Sequence, residues 1–211
     1  MLQLTNFSKT YQGRAVLRIN SFTFSPGTYW IQGANGSGKS TLLKAIAGVT
    51  PFEGDILLAG QWSFKQQAVA YRRRVNFAEA EPVFPAFLTG RELIHLFRTA
   101  KGGPPHQEDF YLEALHMTSY VQEPVGTYSS GMLKKLSLVL AFLGQPTCIV
   151  LDEPLTTLDA AAVPVLCAWM TRQQAQQGTS FLLSSHQAFA AGSLPVVQQL
   201  LIEQSTLHYP G

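Results

Sequence analysis

Gly33-Ala34-Asn35-Gly36-Ser37-Gly38-Lys39-Ser40-Thr41 has the spacing of a phosphate cradle: Gly, four residues, Gly, Lys and a hydroxyl residue. In a glycine-rich turn, backbone N–H groups converge on an anion. Lys39 has the reach for β- and γ-phosphates, and the Ser40 hydroxyl suits Mg²⁺. A second constellation, Asp152-Glu153, ends the apolar run Cys148-Ile149-Val150-Leu151. In a parallel sheet the carboxyl ends of the strands form the ligand crevice. There Asp152 suits Mg²⁺, directly or through water, and Glu153 suits removal of a proton from an attacking water. Taken alone, two acids at a strand end also read as a solvated cap. Ser184-Ser185-His186 follows another apolar run, which sets His186 at the same end of the sheet, within reach of a γ-phosphate and its water, although a lone His also reads as a structural polar residue. Tyr128-Ser129-Ser130-Gly131-Met132 precedes a helical pattern containing Lys134 and Lys135. Its N–H groups, helix dipole and hydroxyls suit an anion, though any serine-capped helix shares them.

These groups need elements to position them. Thr28–Gln32, β-branched and aromatic, reads as the strand before the glycine loop, and Leu42, Leu43, Ala45, Ile46 and Ala47 recur at helical spacing after it. Leu2–Phe7 and Val16–Phe24 alternate as antiparallel strands around a turn at Tyr11-Gln12-Gly13. Ile56–Gly60 reads as a strand plus turn, and Val75–Ala78 as a buried strand. Helical spacing covers Arg91–Thr99, Phe110–Tyr120, Gly131–Leu143 and Val163–Gln177, with breakers at Lys101–Pro105, Gly144–Pro146 and Gly178. The section from about 80 to 128 therefore reads as helical, inserted between sheet elements. Cys148–Leu151 is uniformly apolar, as a central parallel strand is, and Ser180–Leu183 reads as another buried strand. Strands alternating with helices imply an α/β fold with a parallel sheet.

The composition narrows the class. A length of 211 residues suits one sizeable α/β domain, and 46% apolar residues supply a core. Only 13% of residues are charged, so the surface is polar with little charge or part of it is covered. A net charge of +2 gives no argument for a nucleic-acid partner. The basic run Arg72-Arg73-Arg74 reads as a solvated helix end or turn. Cys148 and Cys167 have neither metal-ligand nor redox spacing, which fits a reducing compartment. The start of the chain lacks the features of a signal peptide, and no apolar stretch is long enough to span a membrane.

In this order and spacing the four segments resemble the nucleotide-binding subunit of ATP-binding cassette transporters over essentially the whole chain. Ser-Ser-Gly-Met, Lys-Lys and Leu-Asp-Glu-Pro are most similar to export-type subunits. The resemblance implies a single domain over 1–211, built as a P-loop NTPase core with a parallel sheet. It adds an N-terminal antiparallel β subdomain and a helical subdomain inserted at about 80–128. It implies ATP and Mg²⁺ as ligands, a second ATP-binding subunit (the same chain or a related one), a transmembrane transporter subunit, and a peripheral place on the cytoplasmic face of the membrane. By the same resemblance Tyr11 stacks on adenine, although it also reads as a turn tyrosine. Gly33, Asn35, Gly36, Ser37, Gly38, Lys39, Ser40 and Thr41 form the nucleotide loop. Ser129 and Gly131 reach the γ-phosphate of the other subunit's ATP. Asp152 is the magnesium-associated acid, Glu153 the general base, and His186 the switch histidine. Leu158-Asp159 joins the two active sites.

Several positions depart from the family pattern. The Gln usual nine residues before the Thr of Leu88-Thr89 is Ala80; either the flanking Glu79 or Glu81 substitutes for it, or the loop senses magnesium differently. Tyr128, Ser130 and Met132 replace the usual Leu, Gly and Gln-like residues, and Thr157 replaces a frequent Gly. The altered signature and Ala80 also fit a regulatory half of an asymmetric pair that binds ATP but hydrolyses it weakly. A soluble cassette ATPase of DNA repair or translation usually carries two cassettes or long coiled-coil or basic insertions, and neither is present here.

Overall fold

The computed structural model describes residues 2–185 and 197–210. Two sheets organise them. The first is antiparallel and contains β1 (Leu2–Tyr11), β2 (Arg14–Phe24), β4 (Glu53–Leu58) and β5 (Trp62–Ser63), in the order β2-β1-β4-β5. β1 and β2 are joined by Gln12-Gly13, both at positive φ (49° and 77°), the backbone that matches the twist of a two-residue hairpin. Leu2 and Leu4 are buried in β1, then Phe7 and Lys9, so the parity of the inward face flips. The flip occurs at Asn6 (φ 48°), where the register with β4 shifts between Thr5 and Ser8. Gly54 is required opposite this bulge, since a Cβ there would lie 2.3 Å from the Asn6 carbonyl oxygen.

The second sheet contains β3 (Thr28–Gln32), β6 (Val75–Ala78), β7 (Cys148–Asp152), β8 (Ser180–Ser184), β9 (Val197–Glu203) and β10 (Thr206–His208). Its order is β10-β9-β3-β8-β7-β6, parallel except that β10 runs antiparallel to β9. β7 is buried at all five positions, and its two faces serve two cores. Cys148 and Val150 pack towards α1 (Lys39–Ile46) and the antiparallel sheet, with Tyr29, Ile31, Leu42 and Leu43. Ile149 and Leu151 pack on the other face with Leu138, Phe142, Trp169 and Phe181, from α5 (Ser130–Phe142), α6 (Ala162–Gln177) and β8. Each such side chain contributes about 1.5–3 kcal/mol by leaving water, so β7 is held on both sides and the carboxylates at its end inherit that rigidity.

The inserted region contains α3 (Gly90–Lys101) and α4 (Gln107–Ala114). α3 starts in a capping box in which Thr89 and Glu92 exchange hydrogen bonds, and it ends at Gly102 with φ 66°. The expected helix over Phe110–Tyr120 is shorter and earlier than its apolar spacing suggests. It stops at Ala114 because His116 adopts a left-handed backbone (φ 55°) that turns the chain away, while Leu115 and Met117 still fill the core. The region from 80 to 128 is thus only partly helical: residues 79–89 are irregular around Pro82 and Pro85, and residues 115–129 form turns and one 3-10 turn, Val125–Thr127. A short helix α2 (Ala68–Arg72), β5, β9 and β10 have no counterpart in the periodicity. The basic run does mark a helix end, but it is not simply solvated: Arg72 donates twice to the Gly48 carbonyl (3.0 and 2.9 Å), and the Arg74 guanidinium stacks 3.9 Å from the Trp62 ring centroid. Among the described residues no helix is long and apolar enough to cross a membrane.

Candidate nucleotide site

The glycine loop links β3 to α1, as its flanking sequence predicts. Gly33 is the position where the loop most needs glycine: its φ is 148°, and a Cβ would lie 2.7 Å from both the Ile202 carbonyl oxygen of β9 and Ser37 Oγ. The Lys39 ammonium folds back over the loop and donates to the carbonyls of Gly33 (2.8 Å) and Ala34 (3.1 Å). A cavity of about 310 Å³ opens at this end of α1, lined by Asn35, Gly36, Gly38, Lys39, Ser40, Thr41 and Glu153. The hydroxyl of Ser37 is buried here and has no hydrogen-bond partner among the described residues.

Parallel pairing brings the far constellations to the same place. β7 lies beside β8 with Asp152 opposite Ser184. Asp152 is 1% exposed, and its Oδ1 accepts hydrogen bonds from Ser40 Oγ (3.1 Å) and Ser184 Oγ (2.6 Å). Ser184 Oγ in turn accepts from the Glu153 N–H at 3.1 Å. Glu153 has φ 46°, a conformation that costs a non-glycine residue on the order of 1–3 kcal/mol and concentrates at functional sites. Glu153 lines the cavity beside Lys39. The donor set fits a nucleotide with Mg²⁺. N–H groups and an ammonium surround an open cavity, a buried hydroxyl awaits a partner, and a hydroxyl–carboxylate pair offers two hard oxygens. Among the described residues no cluster of three or more His, Cys, Asp or Glu could hold a metal alone. Mg²⁺ typically takes one or two protein ligands and completes its shell with phosphate and water.

Ser129, Gly131 and Asp159 form a separate group that does not line this cavity. Ser129 caps α5, accepting from the Met132 N–H at 3.2 Å. Gly131 packs against the next loop, where a Cβ would sit 3.2 Å from the Thr157 carbonyl oxygen. Thr157 has φ 63°, the backbone that glycine adopts most readily. Asp159 is bound to Lys135 (2.6 Å) and accepts from the Ala162 N–H (2.9 Å); the Lys135 hydrogen bond holds its carboxyl below the usual range. Tyr11, 47% exposed at the end of β1, also lies apart from the cavity lining, with the Lys9 ammonium 4.6 Å from its ring centroid. His186 lies outside the described residues.

Around Ala80, Glu79 is ion-paired with Lys44 of α1, whose ammonium is pushed above its ordinary range chiefly by that hydrogen bond. Glu81 is exposed. Two residues to which their motifs assign no role also shape the site. Ser184 is the polar end of an apolar run, on the strand beside β7. Lys134 is fully buried, and its ammonium donates to the carbonyls of Glu79 (3.0 Å), Ala80 (3.0 Å) and Asp152 (3.3 Å). Burial pushes it down to about 8. Its helical spacing to the buried Leu138 and Ala141 was the available signal.

A parallel sheet with a glycine phosphate loop, an antiparallel subdomain and inserted helices is the fold of ATP-binding cassettes. The chain belongs to the ABC transporter family, whose sequence profile matches residues 17–156. It is 31% identical over 189 residues to the uncharacterized ABC transporter ATP-binding protein YhcH of Bacillus subtilis, covering 88% of this chain and 62% of that protein. It is 32% identical over 195 residues to ATP-binding cassette sub-family A member 7 of Mus musculus, covering 88% of this chain and 9% of that one. The chain thus spans less than two thirds of these relatives. Among solved structures, an ATP-binding subunit of an ABC transporter superposes over 100% of this chain and 89% of its own, with a TM-score of 0.88 at 25% identity. A dimeric ATP-binding cassette in a post-hydrolysis state, bound to ADP and Pi, shares the fold over 100% of both chains (TM-score 0.79, 20% identity).

Proposed function

We propose that this chain is a single ATP-binding and ATP-hydrolysing cassette, with its helical subdomain at about 80–128, that powers a membrane transporter from the cytoplasmic face. The observation that carries the reading is that Lys39, Ser40 and Glu153 line one cavity while the buried Asp152 carboxylate accepts from the Ser40 hydroxyl beside it. The loop N–H groups and Lys39 bind the β- and γ-phosphates. Ser40 and Asp152 hold Mg²⁺, which when bound neutralises developing phosphate charge. Glu153, with His186, orients the attacking water and takes its proton. Tyr11 stacks on the adenine through its exposed ring.

Ser129 and Gly131 complete the site of a second cassette, and Asp159 joins the two sites. Their separation from the phosphate cavity within one chain supports this, since a head-to-tail dimer gives each group an ATP across the interface. An exporter is the favoured direction, because relatives include a protein named phospholipid-transporting ATPase ABCA7 of Homo sapiens. The membrane partner docks on the exposed apolar residues Val83 (88%) and Phe87 (81%) at the edge of the insert. Ala80, with no polar side chain to offer the nucleotide, favours the second reading: a regulatory half with weak hydrolysis.

Glu153→Gln separates the two. In an active enzyme it lowers ATP turnover by about 10²–10⁴-fold and accumulates an ATP-bound dimer, seen by gel filtration. Equal turnover and no dimer in the variant refute the catalytic reading.

A further inference from the structure

Lys134 has no place in the chemistry proposed above, yet it is a fully buried ammonium at the back of the site. A buried charge needs close compensation. Here each of its three N–H donors finds a main-chain carbonyl, those of Glu79, Ala80 and Asp152. These acceptors lie on two segments far apart in the chain. The first is the loop that leaves β6 and runs into the exposed stretch Pro82–Phe87. The second is the end of β7, which carries the Asp152 carboxylate and precedes Glu153. The loop is also held through a side chain, because Glu79 pairs with Lys44 on α1, the helix that begins at Lys39. Ala80 contributes only its carbonyl to these ties.

We propose that Lys134 is a positioning residue that makes residues 79–87 and the Asp152–Glu153 end of β7 move as one body. A partner that displaces the loop is then felt at the two carboxylates, and nucleotide bound at the carboxylates orders the loop. The link runs through main-chain carbonyls and a lysine beneath the loop, so it needs no polar side chain at position 80. This inference rests on the nucleotide-binding reading of the cavity.

Amide hydrogen exchange on the full chain tests it, with ATP and Mg²⁺ added and a fluorescent ATP analogue reporting affinity. In the unmodified chain, nucleotide slows exchange across residues 79–88 by about fivefold or more. Lys134→Met keeps side-chain length and removes the ammonium. It leaves analogue affinity within about threefold but reduces the nucleotide-dependent slowing to less than about twofold. Retention of the full slowing in Lys134→Met overturns the proposal, as does an unmodified chain that binds the analogue without any change at 79–88. If Lys134→Met does not fold by circular dichroism, Lys134→Gln, which retains two donors, decides by the same criterion with at least half the slowing lost. An unmodified chain that binds no analogue overturns the nucleotide reading instead. In that case faster exchange at both 79–88 and 150–153 in nucleotide-free Lys134→Met supports the tie, and no change at either segment removes it.

Discussion

Replacing Ser184 with alanine deletes one oxygen at the joint between β7 and β8. That oxygen donates to Asp152 Oδ1 at 2.6 Å and accepts from the Glu153 N–H at 3.1 Å. Ser184 and Asp152 are both buried, at 0% and 1% exposure, so water does not replace what is lost. A hydrogen bond to an ionised, buried acceptor contributes about 1.5–3 kcal/mol. Loss of the acceptor for a main-chain N–H adds about 1 kcal/mol. Urea unfolding should therefore show Ser184→Ala destabilised by about 2.5–4 kcal/mol, with an unchanged dependence on denaturant. The functional consequence is separable. Of its two side-chain partners among the described residues, Asp152 keeps only the Ser40 hydroxyl, at 3.1 Å, and a metal-associated group that loses such support typically loses about 10–100-fold in metal affinity. Turnover measured against Mg²⁺ at saturating ATP should show half-saturation rising by that factor, while analogue binding without metal changes little. A stability loss below about 0.5 kcal/mol together with unchanged Mg²⁺ half-saturation refutes the reasoning. A full stability loss with unchanged half-saturation leaves Ser184 a brace and removes Asp152 from the metal site.

Two further perturbations have defined outcomes. Phe87→Asp should abolish co-sedimentation with membranes containing the transporter partner while leaving stability within about 0.5 kcal/mol, because Phe87 is 81% exposed. Phe84 is the poorer choice, since it packs against the core and a charge there destabilises the fold. Burial lowers the Lys101 ammonium to about 8, against an ordinary value of 10.5. Between those values the unfolded chain holds the proton and the native chain has released it, so the contribution of this group to stability rises with pH from about 8 to about 10. Urea midpoints across that range should therefore change more positively with pH in the unmodified chain than in Lys101→Met. Equal slopes in the two proteins refute the assignment.

Much of the site is legible along the chain because its parts are local. Gly33–Thr41 carries its meaning in nine consecutive residues, and the turn that forms the cradle is the turn those residues specify. Cys148–Leu151 announces an interior strand by being apolar at every position, and it lies between β8 and β6 in the parallel sheet, buried at each residue. The chain is less informative where a single backbone angle overrides a pattern. Apolar spacing runs on through Met117, but His116 at φ 55° ends α4 at Ala114. Short elements such as β5 and β10 have too few residues to show a period, and they exist because a neighbouring strand offers its edge.

The phosphate cradle, the acids at the end of an apolar strand and the α/β alternation that brings strand ends together follow from residue order. Each depends on residues close in the chain, whose conformational preferences act before any long-range contact forms. Which groups hold them in place follows from packing between distant segments. Ser184 meets Asp152 across 32 residues, and Lys134 meets Glu79 across 55. Neither partnership has a local signature, because a buried hydroxyl or ammonium is tolerated only where packing delivers acceptors from distant segments. The same packing gave Glu79 to Lys44, where the residues alone left Glu79 and Glu81 as equal candidates.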